Sequence, residues 1–159
     1  MITNIPQNVG KIHFIGIGGI GMSGIAEVLL QSGYLVQGSD VIDSKITQRL
    51  NKLGVKIFKS HDKNNIKKAG IVVYSSAIKD DNPEITMAKK LSIPLVHRSE
   101  MLGELMRLKQ SIAIAGTHGK TTTTSLIGKI LDKNQMDPTI INGGIISSFD
   151  SNAKLGSGK

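Results

Sequence analysis

Two stretches of the chain carry residue types that phosphate chemistry uses. The first is Gly16-Ile17-Gly18-Gly19-Ile20-Gly21, a G-x-G-x-x-G pattern between an apolar run, Lys11–Ile17, and an amphipathic one, Gly21–Ser32. Glycines at Gly16, Gly18, Gly19 and Gly21 allow a tight turn and let the backbone approach a diphosphate. The helix beyond them offers unpaired N–H groups and the positive end of its dipole. Asp40, at the end of the next predicted strand, stands where an acid commonly meets a ribose hydroxyl. The pattern leaves NAD, FAD and a nucleotide sugar all open, because each presents a diphosphate.

The second stretch is Gly116-Thr117-His118-Gly119-Lys120-Thr121-Thr122. It ends in the Gly-Lys-Thr of a P-loop, but position 114, where the general pattern has its first glycine, is Ile114. This is a shortened variant. Its mechanics remain: successive N–H groups make an anion nest, Lys120 reaches the terminal phosphates of ATP, and the Thr121 hydroxyl can join Mg²⁺. His118 either donates to a phosphate or is a tolerated loop residue. His61, in Ser60-His61-Asp62, either touches a ligand or faces water, and His13 reads as a satisfied core residue. No pair of histidines or carboxylates has metal-ligand spacing, so no all-protein metal site is expected.

Short apolar runs alternate with amphipathic ones around these loops. Strands are predicted at Lys11–Ile17, Leu35–Ser39, Val55–Phe58, Ile71–Tyr74 and Pro94–His97. Helices are predicted at Gly21–Ser32, with Ile25, Val28 and Leu29 on one face, and at Thr47–Leu53, closed by Gly54. A third opens at Asn82-Pro83 and runs to about Leu91. A fourth is capped by Ser99 and runs to about Lys109, with Met101, Leu102, Leu105 and Leu108 inward. A second start follows: a strand at Ser111–Ala115, the Gly116–Thr122 loop, a helix with Leu126, Ile127, Ile130 and Leu131 on one side, and a strand at Thr139–Ile141. From Asn142 onward the Gly, Ser and Asn content predicts loops. Strand–helix alternation indicates parallel βαβ units. The expected fold is α/β: a Rossmann-like parallel sheet over 1–109, then the truncated start of a P-loop ATPase domain over 110–159.

Composition narrows the function classes. The 159 residues contain no Cys, which excludes disulfides, thiolate metal sites and cysteine nucleophiles. Twenty Lys+Arg against 12 Asp+Glu give +8, yet only Arg49, Arg98 and Arg107 are arginine. The lysines are scattered, and aromatics are 3% with no Trp, so stacking platforms for nucleic acid are scarce. The charge reads as a solvated lysine surface with mild attraction for anionic metabolites. The longest apolar stretch, His13–Leu30, holds five glycines and Glu27 and cannot span a membrane. A soluble, cytoplasmic protein is expected.

Two phosphate loops of this form resemble the ATP-dependent Mur ligases of peptidoglycan synthesis. The resemblance is carried by GIGGIGMSGIAEVLL (16–30), GSD (38–40), SSAI (75–78), DNPE (81–84), HRSEMLGELM (97–106), AGTHGKTTTT (115–124) and the terminal SNAKLGSGK. Murein peptide ligase also carries a GTHGKT loop, but its first loop usually differs, so the alanine-adding branch is favoured. The resemblance implies three domains, with UDP-N-acetylmuramate on the first, ATP and Mg²⁺ on the second, and L-alanine brought by the third. It implies that the Gly16–Gly21 loop holds the UDP diphosphate. By matched position, Asp40, His61, Ser75 and Ser76 lie around the uridine and phosphates. Relatives continue past residue 159 into an acidic segment that supplies a metal ligand and a catalytic carboxylate. The chain by itself is therefore expected to be a catalytically incompetent N-terminal portion. An NAD-dependent dehydrogenase is the competing expectation from the first loop alone.

Overall fold

The structure, a computed structural model, describes Pro6, residues 8–146 and residues 151–158. Five strands form one parallel sheet: β1 (Lys11–Ile15), β2 (Leu35–Ser39), β3 (Lys56–Phe58), β4 (Ala69–Tyr74) and β5 (Leu95–His97), in the order β3-β2-β1-β4-β5. Successive side chains of a strand point to opposite faces. Accordingly Ile12 and Phe14 enter one apolar layer with Ile25, Leu29, Leu50, Val73 and Met101. Ile15 enters the other, with Ile66, Val72, Ile85 and Ala88. Burial on both faces explains why the central strands read as nearly continuous apolar runs. Each fully buried large side chain contributes about 1.5–3 kcal/mol relative to exposure.

Helices α1 (Ile20–Gln31), α2 (Lys45–Lys52) and α3 (Pro83–Lys90) lie between these strands and α4 (Arg98–Arg107) follows β5; α1 starts at Gly19 with no side-chain cap, whereas the other three carry local start signals. Ser44 and Thr47 form a capping box on α2, and Gly54, at φ +95°, follows its end. Asn82 accepts from the Glu84 N–H ahead of Pro83 at the first helical position. Helix α4 departs from expectation. It is capped by His97, whose Nδ1 accepts from the Ser99 N–H (3.3 Å), while Glu100 accepts from the His97 N–H (3.0 Å). The helix opens directly from β5, so the strand's last residue becomes the cap. It also ends before Leu108, which is 54% exposed and does not face inward.

The second start differs more. Residues 111–115 form no strand, and Ile112 is 66% exposed. A strand needs a neighbour to bond, and none among the described residues lies beside it. Helix α5 (Lys120–Lys133) forms as expected, but Leu126 and Ile130 are exposed; its buried seat is Gly128, against Ile140. Residues 142–146 and 151–154, expected as loop, are strand instead. β6 (Ile140–Ile146) and β7 (Ser151–Lys154) pair antiparallel. Small residues that read as loop-like instead let this hairpin pack on α1, at Gly24, so α1 is buried on the face opposite its core stripe as well. There Ser151 Oγ donates to Glu27 (3.3 Å), a buried carboxylate also held bidentately by Arg49. Among the described residues no helix is long and apolar enough to cross a membrane.

Candidate functional site

In an open parallel sheet the ligand crevice lies beyond the carboxyl ends of the strands, where the strand order reverses. Here that point falls between β1 and β4, which neighbour each other while their chain continuations diverge. The Gly16–Gly21 loop leaves β1 there and Ser75-Ser76 leaves β4 there. Ser75 is half-buried, Ser76 is exposed, and the turn closes through Ile78 N–H to the Ser75 carbonyl (3.0 Å). Asp40 leaves β2 and His61 follows β3 on the same edge. The topology therefore gathers every residue proposed for the first site at one end of the sheet.

The loop itself is tightly specified. Gly16 has φ +74°, and its N–H and that of Ile17 both donate to the Ser39 carbonyl (2.8 and 3.0 Å). The Gly18 N–H donates to Asp40 Oδ2 (2.8 Å), and Asp40 Oδ1 accepts from Ile42 N–H (2.9 Å). Asp40 thus braces the loop. The Gly19 N–H turns back to the Gly16 carbonyl (3.1 Å). The N–H groups of Ile20 and Gly21, in the first turn of α1, have no partner among the described residues, as expected for donors at a helix start. The Arg98 guanidinium lies over Gly21, close enough that a Cβ there would stand 2.8 Å from its Nη1. Arg49 is paired with Glu27 and Arg107 with Glu104, but Arg98 has no hydrogen-bond or ion-pair partner among the described residues. Two open amides, a helix dipole and an unpaired guanidinium together have the chemistry to receive an anion. Beside Asp40 lies a cleft of about 330 Å³ lined by Val41, Ile42, Thr47, Gln48, Lys52 and Lys59, among others.

Behind this edge is a buried polar cluster. Glu84, fully buried, accepts from Ser39 Oγ (2.6 Å) and Asn65 Nδ2 (2.7 Å) and lies 3.4 Å from His13 Nε2 and 3.3 Å from His61 Nδ1. Burial alone would raise its carboxyl pKa. The close imidazole of His13, with the hydrogen bonds from Ser39 and Asn65, outweighs burial and holds it below the usual carboxylate value. His61 Nδ1 is also 3.0 Å from Ser39 Oγ, so His61 faces inward, with 22% of its side chain exposed. His13, expected to be satisfied in the core, is buried beside Gln37 Nε2 (3.2 Å from its Nδ1), but its Nε2 has no partner of hydrogen-bond geometry.

The second loop is exposed from Gly116 to Thr122. Gly116 and Gly119 take φ +148° and +75°, conformations that favour glycine. Lys120 opens α5 and folds back, donating through Nζ to the carbonyls of Gly116 (2.5 Å) and Thr117 (3.3 Å). It therefore spans the mouth of the nest. His118 is exposed and bonds to nothing described, and Thr122 is exposed on the first turn of α5. Thr121 offers one hydroxyl toward a metal, and among the described residues no cluster of three acids or histidines could complete a site. A Mg²⁺ here would depend on ligands beyond that hydroxyl.

The family profile described as "Mur ligase family, catalytic domain" matches residues 11–110, from β1 to just past α4. The chain belongs to the Mur ligase family. A relative named UDP-N-acetylmuramate–L-alanine ligase, from Dinoroseobacter shibae, is 60% identical over 157 residues, covering 99% of this chain and 34% of that protein. One of the same name from Phenylobacterium zucineum is 56% identical, covering 97% and 32%. The chain thus spans about a third of the length of these curated Mur ligases. A crystal structure of UDP-N-acetylmuramate–alanine ligase from Thermotoga maritima superposes with a TM-score of 0.88 at 37% identity, over 94% of this chain and 35% of that one. The crystal structure of UDP-N-acetylmuramate:L-alanyl-gamma-D-glutamyl-meso-diaminopimelate ligase from Neisseria meningitides gives 0.85 at 29% identity, over 92% and 46%.

Three residues of this candidate site escape the spacing arguments. Arg98 follows a short strand and opens a helix, a placement that itself signals a strand-end contact. Ser39 and Glu84 are brought together from 45 positions apart, which no local pattern reveals.

Proposed function

We propose that the chain serves ATP-dependent ligation of L-alanine to UDP-N-acetylmuramate in peptidoglycan precursor synthesis. On this reading residues 1–109 bind the sugar nucleotide and 110–159 open the ATP-binding domain. The observation that carries it is the anion site at the first turn of α1, open amides of Ile20 and Gly21 beneath the unpaired Arg98, at the sheet's switch point. The 60% identity to a ligase of that name supports the alanine-adding branch.

The chemistry is a phosphoryl transfer followed by an acyl transfer. A lactyl carboxylate oxygen attacks the γ-phosphorus, and the bond to the ADP oxygen breaks. The alanine nitrogen then attacks the acyl carbon, phosphate leaves with the bonding electrons, and the ammonium proton passes to a base. Gly16–Gly21, with Arg98, holds the diphosphate; Asp40 fixes the loop's shape; and Ser75 and Ser76 edge the crevice. The Gly116–Thr122 amides and Lys120 offset charge on the terminal phosphates, with Lys120 leaving its own loop carbonyls to do so. Thr121 is the residue here whose hydroxyl would help hold Mg²⁺, which would supply charge neutralisation on the terminal phosphates. A cytoplasmic setting follows from the need for ATP.

Calorimetric titration of the chain tests the assignment. UDP-N-acetylmuramate is expected to bind and to protect against thermal unfolding. A folded chain that ignores the sugar nucleotide but enhances NADH fluorescence would overturn it in favour of a dehydrogenase.

A further inference from the structure

Helices α1 and α5 open on the two glycine loops, and one hairpin grips the first turn of each. On β7, the Asn152 side-chain amide donates to the Ile20 carbonyl and to Ser23 Oγ (3.2 Å) in α1. On β6, the Asn142 side-chain amide donates to the Thr121 carbonyl (3.1 Å) and to Ser125 Oγ (3.1 Å) in α5. Both asparagines are buried, and each adjoins one member of the paired residues Ile141 and Ala153.

The packing repeats this arrangement independently. Each helix presents a glycine where the hairpin rests. A Cβ on Gly24 of α1 would stand 2.8 Å from Asn152 Nδ2, and one on Gly128 of α5 would stand within 3 Å of Ile140. Polar grip and close seat therefore occur on both helices, against the same two strands. A buried amide that lost its acceptors would be left unsatisfied, so the register is strongly specified.

We propose that the β6–β7 hairpin is a strap that fixes the two phosphate loops at one separation, with Asn142 and Asn152 as its positioning residues. This rests on the reading above, in which both loops serve a single phosphoryl transfer. A transfer needs its reactants within near-attack distance, and a displacement of about 1 Å can reduce rate about 100-fold. Two loops on separate helices have no shared backbone to enforce that distance. The strap supplies it.

The absence of cysteine permits a direct test in this chain. Nitroxide labels on Lys90→Cys, in α3, and Lys129→Cys, in α5, report the separation of the two parts by double electron–electron resonance. The parent should give one narrow distance peak. Asn152→Asp and Asn142→Asp keep side-chain shape and remove the donor, and each should abolish that single peak while the sheet still melts cooperatively. The double variant should look like either single one, because the grips act in series. If a carboxylate unfolds the hairpin, Gly24→Ala, which crowds Asn152 without adding charge, takes its place and should also abolish the peak. A cooperatively folded variant at either grip that keeps the parent's peak overturns the strap. No nucleotide is needed, so this outcome stands apart from the sugar-nucleotide titration that tests the function.

Discussion

Replacing Gly18 by alanine tests how the first loop keeps its shape. Gly18 is not among the residues with positive φ, so alanine meets no backbone strain there; the penalty is one of space. The new Cβ would stand 2.8 Å from Asp40 Oδ2 and 2.8 Å from Thr47 Cγ2, well inside van der Waals contact. Thr47 is buried and held in the α2 capping box, so it retreats poorly. Asp40 must give way, and its bond from the Gly18 N–H lengthens or breaks. Overpacking of this kind costs about 1–3 kcal/mol. A hydrogen bond to a charged group is worth about 1.5–3 kcal/mol. Relief of one relieves part of the other, so the two do not add, and a loss of about 2–3 kcal/mol is expected. At an m-value of about 2 kcal/mol per molar urea, the midpoint should fall by roughly 1 M. Asp40→Ala is the control. The double variant should lose less than the sum of the singles, since alanine at 18 then faces only Thr47. A Gly18→Ala midpoint equal to the parent's, or strict additivity with Asp40→Ala, would refute the bracing role.

Other outcomes follow from the same geometry. Arg98→Ala should weaken UDP-N-acetylmuramate binding by about 10- to 100-fold, the loss of one charge-assisted contact, with an unchanged melting curve because Arg98 has no protein partner; unchanged affinity contradicts the anion site. Lys120→Ala should abolish ligation in the full-length ligase while calorimetry shows intact sugar-nucleotide binding, and equal loss of both contradicts the division into two loops. Glu84 titrates below its ordinary value of 4.5 in the folded state, so it adds stability above pH 4.5 that is lost as pH falls through the folded value. Urea midpoints should therefore drop more steeply below pH 4.5 in the parent than in Glu84→Gln, and parallel curves would count against that network.

Periodicity located the five strands and four helices of the first part because those elements bury conventional patterns: nearly continuous apolar runs in β1 and β4, and the face of α1 that carries Ile25 and Leu29. Local chemistry was equally readable at Asn82, which caps α3, and at Gly54, which follows the end of α2, whereas the Ser44 cap of α2 was not read. The reading failed where a partner decides. Residues 111–115 are apolar enough for a strand but have no described strand beside them. Residues 142–146 and 151–154 are rich in Gly, Asn and Ser, yet become strands because α1 and α5 supply glycine seats and acceptors. The site shows the same division. Both loops were legible from glycine spacing, whereas the anchoring of Asp40 to Gly18 and the approach of Arg98 to Gly21 depend on contacts 22 and 77 residues apart in the chain.

That division explains why a G-x-G-x-x-G pattern alone leaves the ligand open. In the general account its glycines serve a turn, a close approach to pyrophosphate and the packing of helix on strand. In this chain Gly16 takes the positive φ of the turn, but Gly18 makes room for the Asp40 carboxylate and Gly21 makes room for a guanidinium. The last two needs come from neighbours outside the pattern. Any protein with a tight strand-to-helix turn can satisfy the letters. On the proposed reading, an anion would be selected here because Gly21 lacks a side chain where Arg98 crosses, which leaves an unpaired guanidinium beside two open amides. A second negative group at that spot is offset by Arg98, while Asp40, already accepting from Gly18 and Ile42, is held to the loop. Ligand choice therefore resides in the residues that touch the glycines, and the glycines only permit it.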